Sequence, residues 1–171
     1  TILVDAGIYV ENVVVNKSIS LIGEDKHSTT IDGNSIGTVV SIVASNVNIT
    51  GFTIQKGQYG IHVSSSGNNI SYNIITNNYD GVKLEESSNN SISGNNITAN
   101  VNYGIYLSIR LLWHLSFSNN NCISGNNISN NTDGIVLDFS SNNSINRNNI
   151  TNNDDGIDIY YSSSNTIAEN H

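Results

Sequence analysis

Along most of the chain the apolar residues come singly or in pairs between polar ones, and their spacing repeats. Gly60, Gly81, Gly104, Gly134 and Gly156 mark the phase. The residue after each glycine is Ile61, Val82, Ile105, Ile135 or Ile157, and two positions further stands Val63, Leu84, Leu107, Leu137 or Ile159. Alternation with period two places each such pair on one face of a short strand. A second column holds Ile70, Ile92, Ile123, Ile145 and Ile167, and a third Ile75, Ile97, Ile128 and Ile150. Three apolar stations per repeat predict three short strands per repeat. The coils run 60–80, 81–103, 104–133, 134–155 and 156–171, with a period of about 22 residues.

Strands of one column lie a whole repeat apart in sequence, and the same residue type recurs in each. That pattern asks for parallel, in-register stacking at about 4.8 Å per coil. A repeat this short leaves no room for a crossover helix, so the connections are further strands. The expected fold is all-β: a single-stranded right-handed parallel β-helix, a solenoid of about seven coils with three short strands each, forming one domain over residues 1–171. Before Gly57 the pattern is less regular, with strands expected at 2–4, 13–15, 19–22, 39–43, 47–49 and 52–54 between Gly7, Gly23, Gly33, Gly51 and Gly57. No stretch carries a helical period.

Asparagines form columns of their own: Asn73, Asn95, Asn126, Asn148 and Asn170, then Asn78, Asn100, Asn131 and Asn153. Asparagine tolerates the left-handed conformation of a sharp corner, and stacked amides can hydrogen-bond from coil to coil. These columns are therefore expected to be corner-forming ladders. Coil 104–133 departs from the period by about eight extra residues, placed at 108–117, where the only tryptophan, Trp113, stands among apolar neighbours. Insertions in a solenoid map to loops on one face, often the binding face. Solenoids also need caps at their ends. Here Thr1 leads straight into a strand and His171 falls in mid-coil. The expectation is a longer native chain, or ends that stack on other copies.

Composition narrows the function classes. Charged residues make up 12%, Pro and Met are absent, and the formal net charge is −8. An acidic surface repels phosphate backbones, which argues against a nucleic-acid partner. No apolar run reaches membrane-spanning length, and one cysteine, Cys122, permits no intrachain disulfide.

The segment Gly7-Ile8-Tyr9-Val10-Glu11, followed by Lys17-Ser18-Ile19-Ser20-Leu21-Ile22-Gly23, resembles the first coils of the carbohydrate-binding and sugar-hydrolase (pectin-lyase-like) β-helix superfamily. The Asn-Asn-x-x-Gly-Ile repeats after residue 57 resemble NosD-like parallel β-helix proteins, which are abundant in cell-surface and surface-layer proteins of methanogenic archaea. The resemblance spans nearly the whole chain and implies the fold. It implies activity only weakly, because one scaffold hosts many functions. A copper role of the NosD kind wants Met, Cys or clustered His, whereas His27, His62, His114 and His171 are scattered and Cys122 stands alone. No cofactor and no metal site are expected.

Two chemistries remain. Asn131-Thr132-Asp133 and Asp154-Asp155 fall in one column of successive coils and resemble the polygalacturonase pattern of Asn-Thr-Asp, then Asp-Asp. A carboxylate pair supplies acid and base to glycoside hydrolysis, and like charges on adjacent coils raise one pKa. The resemblance breaks where that family has a cysteine and this chain has Gly156, and its Gly-His-Gly and Arg-x-Lys motifs do not follow. The alternative reading is that Asp replaces Asn at a repeat corner, as at Asp80. The second chemistry is polysaccharide binding. Tyr59, Tyr79 and Tyr103 precede the column glycines, and Tyr106, Tyr160 and Tyr161 follow them among His62, Lys83, Glu85, Asp138 and Asp158. Flat aromatics with mixed polar groups can hold pyranose rings, and tyrosine also simply suits a half-exposed sheet. Tyr103, Tyr106, Trp113, Tyr160 and Tyr161 are the binding candidates.

Sequons occur at Asn16, Asn48, Asn69, Asn89, Asn96, Asn127, Asn130, Asn142 and Asn149, of which Asn16, Asn48 and Asn130 are the foremost candidates for glycosylation. The resulting expectation is an extracellular or cell-surface structural protein that is not an enzyme. Its partners would be further copies, end to end or along the solenoid, and polysaccharide.

Overall fold

The computed structural model describes residues 1–109 and 117–171, and the only regular structure among them is strand. The strands form three parallel sheets of eight, seven and seven. Sheet A comprises Ile2–Val4, Ser20–Gly23, Asn48–Thr50, Asn69–Ser71, Ser91–Ser93, Cys122–Ser124, Ser144–Asn146 and Thr166–Ala168. Sheet B comprises Gly7–Val10, Thr29–Asp32, Thr53–Gln55, Ile74–Thr76, Asn96–Thr98, Asn127–Ser129 and Asn149–Thr151. Sheet C comprises Val13–Val15, Thr38–Ile42, Tyr59–Val63, Asp80–Glu85, Tyr103–Ser108, Asp133–Asp138 and Asp155–Tyr160. Each coil visits A, B and C in turn, giving a right-handed parallel solenoid of about seven coils. Two strands escaped the sequence pattern, Gly7–Val10 and Thr29–Asp32. Each has one inward apolar residue, Tyr9 or Ile31, too little alternation to mark a strand.

The apolar columns are the core. Ile49, Ile70, Ile92, Ile123 and Ile145 pair coil to coil in sheet A, and all are fully buried. Ile54, Ile75, Ile97 and Ile128 do the same in sheet B, and Val40, Ile61, Val82, Ile105 and Ile135 in sheet C. Burying one such side chain stabilises the fold by roughly 1.5–3 kcal/mol. Gly60, Gly81, Gly104 and Gly134 have a steric cause. A Cβ on Gly81 would lie 2.5 Å from the Gly104 carbonyl oxygen, and one on Gly104 would lie 2.6 Å from that of Gly134. The same Cβ would strike an isoleucine of sheet B, so close backbone approach requires glycine here.

Three asparagine ladders run up the corners. One, not anticipated from the sequence, is Asn68, Asn90, Asn121, Asn143 and Asn165. The expected ones are Asn73 to Asn170 and Asn78 to Asn153. In each, the Oδ1 of one asparagine accepts from the backbone N and the Nδ2 of its predecessor. In most rungs its own Nδ2 also donates to a carbonyl of the preceding coil and, where a further rung follows, to the next Oδ1. The left-handed conformation expected of these residues belongs instead to the residue before each. Tyr72, Gly94, Gly125, Arg147 and Glu169 have positive φ, as do Asn77, Ala99, Asn130 and Asn152. The reversal happens one residue early, so that the following asparagine can aim its amide inward. Ser118 closes the long coil by donating to the carbonyls of Leu84 and Ser108, which returns the chain to register after the insertion.

Candidate functional site

On sheets A and B the outward positions are short and uncharged over most of their length. Asn48 and Asn69 pair through their amides, as do Asn96, Asn127 and Asn149. Sheet C is different, and local backbone geometry explains how. The glycine and the residue after it both point inward, so the residues flanking them, three apart, both point out. Tyr59 and His62, Asp80 and Lys83, Tyr103 and Tyr106, and Asp155 and Asp158 are such pairs. The rings of Tyr103 and Tyr106 lie 4.7 Å apart, and those of Tyr59 and His62 5.5 Å.

Coils 60–80 to 104–133 carry an aromatic and cationic patch. The Lys83 ammonium sits 5.1 Å from the Tyr59 ring centroid and 5.8 Å from that of Tyr106, and 2.9 Å from the Glu85 carboxylate. Glu85 also lies 3.4 Å from His62 Nε2. Burial works to lower the Lys83 pKa, but Glu85 and Tyr59 outweigh it and hold it above its usual value. Asp80 is buried and raised by desolvation, against hydrogen bonds from the Tyr103 backbone N and the Asn102 amide. Desolvation, reinforced by the Asp138 charge, pushes the Tyr106 phenol up to about 12.

Further along the sheet the face turns acidic. Asp133 and Asp155 are register partners in sheet C, and Asp158 joins them, so that one oxygen of each lies within 4.8 Å of the others. Burial raises the Asp133 pKa, and the charges of Asp158, Asp155 and Asp154 add to it. Tyr160 donates to Asp158 at 2.9 Å, which lifts the tyrosine's pKa. Chemically the three can act as a proton donor–acceptor group. They also form an oxygen-only donor set of the kind that hard divalent cations take. Their mutual approach is tighter than the roughly 5–5.5 Å between the carboxylates of a retaining glycosidase.

Of the sequence-derived carboxylates, Asp133 and Asp155 come together. Asp154 lies in the preceding bend, with its backbone N on the Thr132 carbonyl. Asp158 takes the third place in the cluster. Its signal was the Asp155-Gly156-Ile157-Asp158 spacing, legible only once both central residues are known to point inward. Of the tyrosines, Tyr103, Tyr106 and Tyr160 lie on the outer face of sheet C. Tyr161 lies just past the strand, stacked on Phe139 at 4.7 Å, and Tyr79 sits at the corner leading into sheet C, beside Lys56 and Gln58. Trp113 falls outside the described residues, as does 110–116 of the insertion. Asn16, Asn48 and Asn130 all lie off the sheet C face. Cys122 faces outward on sheet A in register with Ser91 and Ser144.

Comparison with known proteins identifies the architecture. The family model described as "Right handed beta helix region" matches residues 6–171. Among solved structures, ORF18 of Geobacillus virus E2 superposes with a TM-score of 0.58 at 14% identity, covering 98% of this chain and 52% of that protein. The Dettilon tailspike protein (gp208) gives 0.49 at 14% identity, with 86% and 43% covered. The chain thus spans about half the length of these structures, and at this identity the likeness is one of fold. No curated protein matches it.

Proposed function

The chain belongs to the right-handed β-helix family, and from that premise we propose that it is a rigid, extracellular or cell-surface structural rod of the NosD-like repeat kind. It would form a stretch of a surface layer, sheath or filament. One observation carries this reading: the buried asparagines are consumed by coil-to-coil ladders, so the sequence is spent on building a stiff stack. Immunogold labelling of intact cells or particles from the native source is expected to decorate the surface. Label confined to the interior would overturn the reading.

Self-association belongs to the same proposal. In the first coil Leu3, Ile8, Val10 and Val14 point outward and are 62–74% exposed, an apolar collar that a second copy could bury. Sedimentation velocity is expected to show concentration-dependent association that Ile8→Asp abolishes.

A second reading, polysaccharide binding on sheet C, is favoured by the patch of Tyr59, Lys83, Tyr103 and Tyr106 together with half-exposed Tyr160. Binding on a glycan array should weaken when Tyr106 and Tyr160 become alanine, and binding unchanged by both would exclude this face. A polygalacturonase-like hydrolysis would rest on Asp133 and Asp155 alone. Neither the family model nor the structural neighbours show catalysis. Reducing-end release from polygalacturonate that disappears in Asp155→Asn would support it.

A further inference from the structure

We infer that the rod is asparagine-glycosylated along one edge, at Asn16, Asn89 and Asn142. The inference rests on the surface reading, since it requires the chain to meet a glycosylating machinery. All nine sequons satisfy the same Asn-x-Ser/Thr pattern, and the fold sorts them differently from the sequence. Asn48, Asn69, Asn96, Asn127 and Asn149 stand on sheet faces, where their carboxamides are tied to one another: Asn69 Nδ2 to Asn48 Oδ1 at 2.7 Å, Asn127 Nδ2 to Asn96 Oδ1 at 2.8 Å and Asn149 Nδ2 to Asn127 Oδ1 at 2.9 Å. Asn130 Nδ2 reaches the hydroxyls of Thr98 and Ser129 at 3.4 and 3.3 Å.

Asn16, Asn89 and Asn142 differ. All three are exposed, and their carboxamides make no hydrogen bond to the described residues. Asn89 and Asn142 adopt φ of 59° and 58°, the conformation that faces a side chain outward just before the inward ladder residues Asn90 and Asn143. All three lie in the connections from sheet C to sheet A, that is, on the same edge of the solenoid. A glycan row there would leave the outer face of sheet C open.

The transfer is an ordinary substitution. Asn Nδ2 attacks the anomeric carbon of a sugar diphosphate, lipid- or nucleotide-linked. The N–C1 bond forms, the C1–O bond to the diphosphate breaks, the diphosphate ester leaves with the electron pair, and the nitrogen loses a proton. Nδ2 must be free of hydrogen bonds to be activated, which is the condition that separates the two groups of sequons.

The test compares folded and urea-unfolded chain. Each is treated with a soluble asparagine glycosyltransferase and a nucleotide diphosphate sugar, and site occupancy is read by peptide mass spectrometry. On the folded protein Asn16, Asn89 and Asn142 should react about tenfold faster than the five sheet-face asparagines, whose amide bonds must open first. Unfolding should remove the difference. Asn16→Gln, Asn89→Gln and Asn142→Gln together should abolish the fast fraction while leaving the circular dichroism unchanged. Equal rates on the folded chain would overturn the inference, as would bare asparagines at all three positions in protein from the native source. Bare asparagines on a protein that immunogold places at the surface would sink the glycan row alone. Interior labelling would sink the surface reading with it.

Discussion

Substituting Asn126 by alanine tests whether the ladders hold the coils together. Asn126 Oδ1 accepts from Asn95 N at 3.0 Å and from Asn95 Nδ2 at 3.1 Å, while its Nδ2 donates to Ile92 O and Asn148 Oδ1, both at 2.9 Å. Asn126 is 1% exposed, so water cannot replace these partners without opening the corner. Alanine leaves the Asn95 backbone N–H without an acceptor and removes one of its amide's acceptors. With about 1–3 kcal/mol for a buried donor left unsatisfied, and further hydrogen bonds lost at Ile92 O and Asn148 Oδ1, the substitution should cost about 3 kcal/mol. The neighbouring Asn127 makes two comparable amide bonds but is exposed, so Asn127→Ala should cost about 0.5 kcal/mol. Urea unfolding followed by circular dichroism measures both, and hydrogen exchange at the Asn95 amide locates the damage. A difference below about 1 kcal/mol between the variants would refute the account.

Asn126→Asp sharpens the same test. It keeps the acceptor for Asn95 but sets a second carboxylate oxygen against the acceptors Ile92 O and Asn148 Oδ1. At neutral pH it should be worse than alanine. Because burial and the missing donors raise the carboxyl's pKa in the folded state, stability should recover as pH falls through that raised value and the protonated oxygen donates.

The remaining predictions bear on the phase glycines and on sheet C. Gly104→Ala should cost about 3 kcal/mol or leave the protein insoluble, since the new Cβ meets backbone at 2.6 Å. Gly125→Ala should cost only about 1 kcal/mol, because its φ of 63° is strained for alanine but the space is open. Asp133→Asn should stabilise the fold above the raised folded pKa of Asp133. Ionisation is disfavoured by folding there, and the advantage should fade as pH falls through that pKa and vanish below the ordinary value of 3.8. Ultraviolet titration should show one phenol ionising near 12, absent in Tyr106→Phe.

Most of the architecture was legible because a solenoid repeats its chemistry. Columns of Ile and Val at one coil's spacing are a long-range contact map written in sequence, and the residues after Gly60 needed little else. What escaped reading did so for local reasons. Tyr9 and Ile31 each stand alone on their inward face, so their strands carried no alternation. The ladder from Asn68 to Asn165 hid because its members stand among further asparagines. Its signal was an asparagine two residues before each sheet A isoleucine from Ile70 to Ile167. The left-handed position falls one residue before the asparagine because the ladder residue must aim its amide inward, which its tolerance of that conformation alone does not reveal.

That same local detail decides where function is to be sought. Strict alternation would have sent Asp155 and Asp158, or Tyr103 and Tyr106, to opposite faces. Two consecutive inward residues, glycine and its successor, bring both members of each pair outside along sheet C. The glycine exists for packing, since its Cβ would strike the next coil. Yet it also gives each coil two outward side chains close enough to touch. Past the first coil, the outward residues of sheets A and B are mostly those a stack tolerates anywhere, small hydroxyls and amides. On sheet C they are tyrosines, a lysine with depressed exposure and carboxylates held against their charge. Stacking does not require those residues there. Selection on the rod's length and stiffness would leave them free to vary, so a binding function of this chain is to be looked for on that face.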